Sequence, residues 1–404
     1  MDYKKTLNLP KTDFPMKANL VQREPEILKK WEKQDIYSVI RDTSNGRPTY
    51  ILHDGPPYAN GNIHMGTAFN KILKDMIIKA KQMDGYDVPY VPGWDCHGLP
   101  IELQVDHELG DKKLEMTCSE IRKRCRQFAD RFIKIQRDEF KRLGVFGEWD
   151  RPYLTMDYTY EATIVREFGK FALNGSLIKS KKPIYWCYSC GTALAEAEVE
   201  YEDDTSTSIY VRFPFVSDLT SKYPSLAGKD IFIAIWTTAP WTIPANQAIS
   251  LHPDFTYAAV DTPVYGVLIL AEGLLEQFLN TVGIEGHTVL ARFDARELEG
   301  LKAKHPIYDR ESVIILADYV TLDVGTGCVH IATGHGQEDY ESGLEYNLEI
   351  YSPVDDKGRF TEDVEFFAGQ EVFEANRNIV QKLTEVGTMI KEEPITHSYP
   401  HCWR

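Results

Sequence analysis

The chain has 404 residues, 43% of them hydrophobic, enough for two or three domains with cores of their own. Its net charge of −16 argues against a protein that coats nucleic acid non-specifically, while leaving local basic patches open. No stretch approaches the roughly 18 apolar residues of a membrane span, the start Met-Asp-Tyr-Lys-Lys-Thr has no apolar signal core, and the seven cysteines are too scattered for a disulfide framework, so a cytoplasmic monomer with no membrane partner is expected.

Residues 1–45 read as an N-terminal arm, polar and proline-containing at first, with a helix from Pro25 to Gln34. Thr49 to Leu52 are apolar and β-prone, a buried strand leading into His53-Asp54-Gly55-Pro56-Pro57-Tyr58-Ala59-Asn60-Gly61, a loop fixed by prolines and glycines. Ala68, Ile72, Leu73, Met76, Ile77 and Ala80 recur at helical spacing, predicting an amphipathic helix from near Gly66. Free amides and the positive dipole end of that helix face the loop, where an anion sits well. His64 stands at the mouth as a donor to phosphate oxygen. A second short strand, Val88 to Val91, feeds the loop Pro92-Gly93-Trp94-Asp95-Cys96-His97-Gly98-Leu99-Pro100-Ile101-Glu102, and helices run to about Phe140. Strands with ligand loops at their carboxyl ends describe half of a doubly wound, Rossmann-like α/β domain over 46–182. Arg122-Lys123-Arg124 with Arg126, and Lys179 to Lys182, are either RNA-contacting patches or solvated faces.

After Lys182 the texture turns β-rich, with strands near Ser208–Phe213, Ile231–Trp236, Tyr257–Val260, Val267–Ala271 and Ser312–Ala317. This region reads as a domain inserted into the α/β fold. Cys187 and Cys190 form a Cys-x-x-Cys pair, which suits zinc, redox chemistry or simple packing, whereas Cys118 and Cys125 read as packed thiols.

The blocks His53–Gly61 with His64-Met65-Gly66-Thr67, and Pro92–Glu102, resemble the signatures of class I aminoacyl-tRNA synthetases, in the wording of the isoleucine branch. The resemblance implies ATP with Mg²⁺, isoleucine and tRNA(Ile) as substrates and partners. It assigns phosphate contacts to His64, Gly66 and Thr67, and the amino-acid pocket to Gly55, Pro56, Asn60, Trp94, Asp95 and His97, with Asp95 clamping the α-ammonium. Activation is attack by an already ionised carboxylate on the α-phosphorus, so alignment and charge stabilisation do the work. The family's His-x-Gly-His has threonine at position 67 here, which leaves a hydroxyl to donate to phosphate, and the family's Lys-Met-Ser-Lys-Ser loop does not occur in the chain. An N-terminal fragment, unable by itself to form the adenylate efficiently, is therefore expected.

A hydrophobic pocket gains only about 1–3 kcal/mol from one methylene, a figure for which the isoleucine enzymes are themselves the standard example, so a second, hydrolytic site is implied. Trp236-Thr237-Thr238-Ala239-Pro240-Trp241-Thr242-Ile243-Pro244-Ala245-Asn246 resembles the family's threonine-rich editing peptide, and Gly325 to Tyr340 resembles the glycine-rich loop that faces it. The resemblance makes Asp339 the ammonium anchor for valine on tRNA, Thr237 and Thr238 the hydroxyl donors, and His330 the wall that excludes isoleucine. Trp236, Thr242 and Asn246 belong to the same site, and Ala239 and Thr333 depart from the residues common there. Across the insertion, 201–395 would be the editing domain, with 183–200 and 396–404 a zinc-knuckle stalk that uses Cys187, Cys190 and Cys402 and is cut before a fourth cysteine. The alternatives are a small adenylyltransferase, an editing-only deacylase or a tRNA-binding module.

Overall fold

A computed structural model describes residues 3–8, 12–13 and 17–403. Parts of the N-terminal arm and Arg404 thus lie outside the described residues. The chain divides into two compact units between Ile178 and Lys179, a few residues before the boundary read from the sequence.

The first unit is mostly helical: α1 (Leu20–Gln34), α2 (Ile36–Thr43), α3 (Met65–Met83), α4 (Leu99–Leu109), α5 (Cys118–Arg142) and α6 (Tyr158–Leu173) surround two short strands, β1 (Gly93–Trp94) and β2 (Tyr153–Leu154). β1 and β2 pair in parallel. Ahead of them come single parallel bridges, Thr49 to Asp87 and Tyr58 to Asp95. Parallel segments joined through helices are the α/β arrangement expected, but the strands expected at 49–52 and 88–91 form no regular ladder. Pro48, Pro56, Pro57, Pro89 and Pro92 bring no amide to these segments, so pairing stops at bridges. A full doubly wound sheet is not present among the described residues.

Helix α3 begins where expected yet faces the other way. Its buried positions are Lys71, Asp75 and Ile78, while Phe69, Leu73, Met76 and Ile77 are exposed. Ion-paired Lys71 and Asp75 occupy the inward face, and the apolar stripe lies exposed. Helix α6 buries none of its residues, exposing Ile164, Val165, Phe168 and Phe171. The core lies instead between α4, α5 and the β1 region, around Trp94, Ile101, Phe128, Ile133, Phe140 and Trp149.

The second unit opens with a small hairpin, β3 (Trp186–Cys187) and β4 (Thr192–Ala193). A long ribbon follows: β5 (Val199–Pro214) pairs antiparallel with β14 (Met389–Cys402) over nearly their whole lengths. The ribbon crosses the stalk boundaries near 200 and 396 without interruption, with Thr205 and Thr396 hydroxyls 3.0 Å apart across it. Between these strands lie β6 (Ile231–Thr237), β7 (Ala248–Leu251), β8 (Thr256–Thr262), β9 (Gly266–Ala271), α7 (Leu275–Val282), β10 (Thr288–Asp294), α8 (Ala295–Leu298), β11 (Lys302–Lys304), β12 (Glu311–Leu316), β13 (Cys328–Ile331), α9 (Gln337–Glu345) and α10 (Val372–Glu385). One sheet has the order β10-β8-β9-β6-β5-β14 and another β11-β12-β7-β13. The shared core includes Ile209, Phe213, Ile233, Ile249, Tyr257, Ile314 and, from α10, Ile379. Of the five strands read from the sequence of this unit, four fall inside observed ones and the fifth, Ser312–Ala317, overruns β12 by one residue. Strand β14 escaped because Pro394 and Pro400 break its pattern; both are tolerated on a sheet edge.

Candidate functional site

In the first unit the histidine loop and α3 are joined by a cap. His64 Nδ1 accepts the Gly66 amide at 3.0 Å, so the ring proton resides on Nε2, leaving that N–H as the imidazole's donor. Gly66 is needed for this fold-back, since a Cβ there would lie 2.9 Å from His64 Cε1. Thr67 Oγ1 accepts the His64 amide at 2.8 Å and donates to the His64 carbonyl at 2.8 Å. Its one hydroxyl hydrogen is engaged within the cap in this structure, so a phosphate would have to compete with the His64 carbonyl for it.

What holds the loop was not singled out from the sequence. Asp54 is wholly buried, with Oδ2 bonded to Lys71 Nζ at 2.5 Å and the Gly93 amide at 3.0 Å, and Oδ1 to Lys74 Nζ at 2.7 Å. Lys74 also reaches the Gly55 carbonyl at 3.1 Å. Burial alone would raise the Asp54 carboxyl, but Lys71 and Lys74 outweigh it and hold it below the usual carboxylate range. This one carboxylate ties the loop, α3 and β1 together. From α5, Gln136 donates to the Tyr58 and Gly61 carbonyls at 3.0 and 2.7 Å, and Glu139 takes the Asn62 side chain and the Ile63 amide. The signal was available: Gln136 and Glu139 are one helical turn apart, and Lys71 and Lys74 likewise.

Trp94 packs inward, behind the loop. It is fully buried in the core, with its indole N–H bonded to Gln136 Oε1 at 3.0 Å, so it supports the loop instead. Asp95 pairs with the histidine loop through backbone bonds to Pro57 and Ala59, and its Oδ1 accepts the His97 amide at 3.3 Å. Asp95 is thus brought to the same loop as Gly55, Pro56 and Asn60. His97 is exposed, 3.1 Å from the Thr155 carbonyl and 3.5 Å from Glu161. It lines a cavity of about 350 Å³ with Arg126, Tyr158 and Glu161. Tyr153, also unforeseen, donates to the Asp54 carbonyl and stacks on His53 at 5.4 Å. A Cβ on Gly93 would lie 2.0 Å from the Tyr153 ring, so only glycine fits beneath it.

In the second unit the editing peptide forms a strand end and a 3₁₀ turn over Pro240–Ala245. Thr242, Asn246 and His330 are buried and bonded together. Thr242 Oγ1 donates to the Ala239 carbonyl and lies 2.8 Å from His330 Nε2, while Asn246 Nδ2 lies 3.3 Å from His330 Nδ1. The hydroxyl's single hydrogen is spent on Ala239, so His330 donates from Nε2 and is neutral. Burial, with His335 nearby, lowers its pKa to about 4. His305, bonded to the Ile243 carbonyl at 2.9 Å, and Arg310, bonded to that of Pro244, hold the same turn. Thr237 accepts the Ala239 amide at 3.1 Å, and no side-chain hydrogen bond engages Thr238 among the described residues. Trp236 packs its ring against Gly325.

Asp339 accepts the Ala332 amide on Oδ2 at 2.8 Å. Burial pushes its carboxyl up to about 6, opposed by that amide and aided by Glu338. The loop it grips is stitched further by Thr333, whose hydroxyl donates to the Glu349 carbonyl at 2.6 Å and accepts the Tyr351 amide at 3.1 Å. Thr333 thus has a structural role in this loop.

Cys187, Cys190 and Cys402 converge with their sulfurs within 4.8 Å of one another, compatible with a shared tetrahedral ion. The Cys190 amide donates to Cys187 Sγ at 3.3 Å. Burial opposes ionisation of Cys187, but such bonds overcome it and lower the thiol. Burial and the neighbouring sulfurs push Cys190 up to about 11. Three soft donors from a hairpin and a strand end fit zinc by their chemistry.

The family model for class I tRNA synthetases (I, L, M and V) matches residues 26–393. The chain is 60% identical over 406 aligned residues to the isoleucine–tRNA ligase of Nitratidesulfovibrio vulgaris strain DP4, covering all of this chain and 43% of that protein. It is 58% identical to that of Geobacter sulfurreducens, covering 100% of this chain and 44% of the relative. The chain thus spans less than half the length of the curated relatives it matches. Among solved structures, it is similar to the one titled "The crystal structure of GlLeuRS-CP1" at 15% identity and a TM-score of 0.38, over 46% of this chain and 98% of that one. On the family match, the chain belongs to the class I tRNA synthetases of the isoleucine, leucine, methionine and valine group.

Proposed function

We propose that this chain carries the first half of the synthetic site of an isoleucine–tRNA ligase, together with the hydrolytic module that removes valine from tRNA(Ile). The observation that carries the reading is the identity to isoleucine ligases, 60% and 58% over the whole of this chain. In the synthetic half, ATP with Mg²⁺ enters at the α3 terminus, where His64 Nε2–H and helix-start amides meet phosphate oxygens. Asp95 holds the ammonium of isoleucine beside Gly55, Pro56 and Asn60, aligning its carboxylate for attack on the α-phosphorus. Asp54, Lys71 and Lys74 fix the separation between these two grips.

In the editing half, Asp339 receives the ammonium of the wrong amino acid. Its Oδ2 is held by Ala332 and Oδ1 carries no hydrogen bond among the described residues. Near neutrality a carboxyl shifted to about 6 is mostly ionised, as that role requires. Thr238 and Thr237 offer hydroxyls to the ribose and the attacking water, and the locked His330 lies behind the turn that bears Thr242. Zinc on Cys187, Cys190 and Cys402 would supply a structural clamp at the foot of the ribbon.

For this chain by itself the reading narrows to editing. The apolar faces of α3 and α6 are uncovered, and the lysine-rich Met-Ser loop is missing from the sequence. Two assays on the purified chain test the proposal together: isoleucine-dependent ATP–pyrophosphate exchange is expected to be negligible, and valine release from Val-tRNA(Ile) is expected to proceed. Robust exchange would overturn the half-site reading, and absence of valine release would overturn the editing one.

A further inference from the structure

The hairpin of β11 and β12 takes no part in the steps above, yet it grips the editing turn at three points. His305 is buried near its bend, and its Nδ1 accepts the amides of Ile307 and Tyr308 at 3.1 Å each. The ring proton therefore sits on Nε2 and is donated to the Ile243 carbonyl at 2.9 Å. Arg310 donates to the Pro244 carbonyl. Ser312, fully buried near the start of β12, donates its hydroxyl hydrogen to Asn246 Oδ1 at 2.5 Å.

The third contact differs from the other two, because it falls on a side chain that is itself bonded to His330. Asn246 Nδ2 donates to the Ala248 carbonyl at 2.9 Å and lies 3.3 Å from His330 Nδ1. Turned over, the amide would set its oxygen against the Ala248 carbonyl oxygen, so its partners select one orientation. From there the hydrogens run one way. Ser312 donates to Asn246, Asn246 to His330 Nδ1, His330 Nε2 to Thr242, and Thr242 to the Ala239 carbonyl. Ser312, Asn246, His330 and Thr242 are all buried. Removing the serine hydroxyl would leave Asn246 Oδ1 buried with no donor, and the amide would gain by turning or shifting towards another partner. Either movement withdraws its hold on His330 Nδ1.

We propose that Ser312 is a positioning residue of the hydrolytic pocket: acting through Asn246, it holds the His330 ring in place and so sets how large an amino-acid side chain the pocket admits. The substrate part of this assignment rests on the editing reading; the bonding from strand to ring does not. β12 pairs in parallel with β7, Val313 opposite Ala248, so the ladder that supplies the Ala248 carbonyl also places the serine hydroxyl. Valine and isoleucine differ by a single methylene, and a wall displaced by about 1 Å no longer separates them.

The test uses the full 404-residue chain with histidine isotopically labelled at its ring nitrogens, in wild type, Ser312→Ala and Ser312→Cys. The signals missing from His330→Gln identify that ring. Proton–nitrogen correlation spectra of wild type at pH 7 should show His330 neutral, protonated on Nε2 and accepting on Nδ1. In Ser312→Ala the Nδ1 resonance should move to that of an unbonded acceptor, and the Nε2 proton should exchange faster with water. Initial rates of release from Val-tRNA(Ile) and Ile-tRNA(Ile) should give a valine-to-isoleucine ratio about tenfold or more below that of wild type. Ser312→Cys keeps the volume with a weak donor and decides the matter if Ser312→Ala fails to fold. An unchanged His330 signal in a folded variant overturns the link from Ser312, and a shifted ring with an unchanged ratio overturns the role in selectivity. A merely structural serine would lower the melting temperature and leave both readings unmoved. Failure of wild type to release valine removes the editing reading and leaves the ring signal to decide the link.

Discussion

Asp339 is placed where a carboxylate is costly to the fold, and that cost is measurable. Burial raises its carboxyl from 3.8 to about 6. A shift of about two units corresponds to roughly 3 kcal/mol disfavouring the ionised folded state at neutral pH. The sign follows from proton counts. Between about pH 4 and 6 the folded state holds the proton more tightly than the unfolded one, so stability falls as pH rises through that window, and the full penalty stands above 6. Below about pH 4 both states are protonated and the penalty vanishes. Asp339→Asn keeps an acceptor for the Ala332 amide and removes the charge. At pH 7 it should raise the melting temperature of the second unit by roughly 6–12 °C, taking about 2–4 °C per kcal/mol for a unit of this size. The gain should shrink towards zero by pH 4. Calorimetric scans of both proteins at pH 7, 5.5 and 4 suffice; histidine titrations are common to both and cancel in the difference. A variant less stable than wild type at pH 7, or a difference independent of pH, would refute the reasoning.

Other expected outcomes follow from the same contacts. In the Asp339→Asn background the second unit should lose stability as pH falls from 6.5 towards 4, because His330 and His335, lowered by burial to about 4, and His305, lowered to about 3, gain protons first in the unfolded chain; a flat profile would contradict their buried neutral state. Asp54→Ala should destabilise the first unit by about 3–5 kcal/mol by stranding Lys71, and adding Lys71→Met should recover much of the loss in denaturant titrations. Gly93→Ala should cost about 1–3 kcal/mol through overpacking against Tyr153, with partial rescue by Tyr153→Ala in the same assay. Equilibrium dialysis should find one zinc per chain and loss of it in Cys190→Ser, with the β5–β14 ribbon becoming more open to proteolysis.

How legible the molecule was depends on what each residue answers to. The five expected strands carried dense apolar, β-branched runs, and burial made those runs into β5, β6, β8, β9 and β12. The facing of α3 was not legible, because Lys71 and Asp75 look like surface residues until Asp54 and the Phe146 amide are seen to bond them. Trp94 fits a pocket wall by its place in the loop, yet Gln136, more than forty residues away in sequence, claims its indole. Thr67 shows the same limit: a hydroxyl's free hydrogen is decided by local cap geometry, which residue identity alone does not give. The cysteine convergence was legible only through the family resemblance, which joined Cys402 to a Cys-x-x-Cys pair that by itself suited zinc, redox chemistry or packing equally.

The proposed hydrolysis of the wrong ester by the second unit can be tested on the chain itself. The most direct measurement is the rate of amino-acid release from Val-tRNA(Ile) and Ile-tRNA(Ile) by this chain, with Asp339→Ala alongside. The account expects valine to be released faster than isoleucine and the variant to release neither. Equal rates for the two esters, or undiminished valine release by Asp339→Ala, would contradict it.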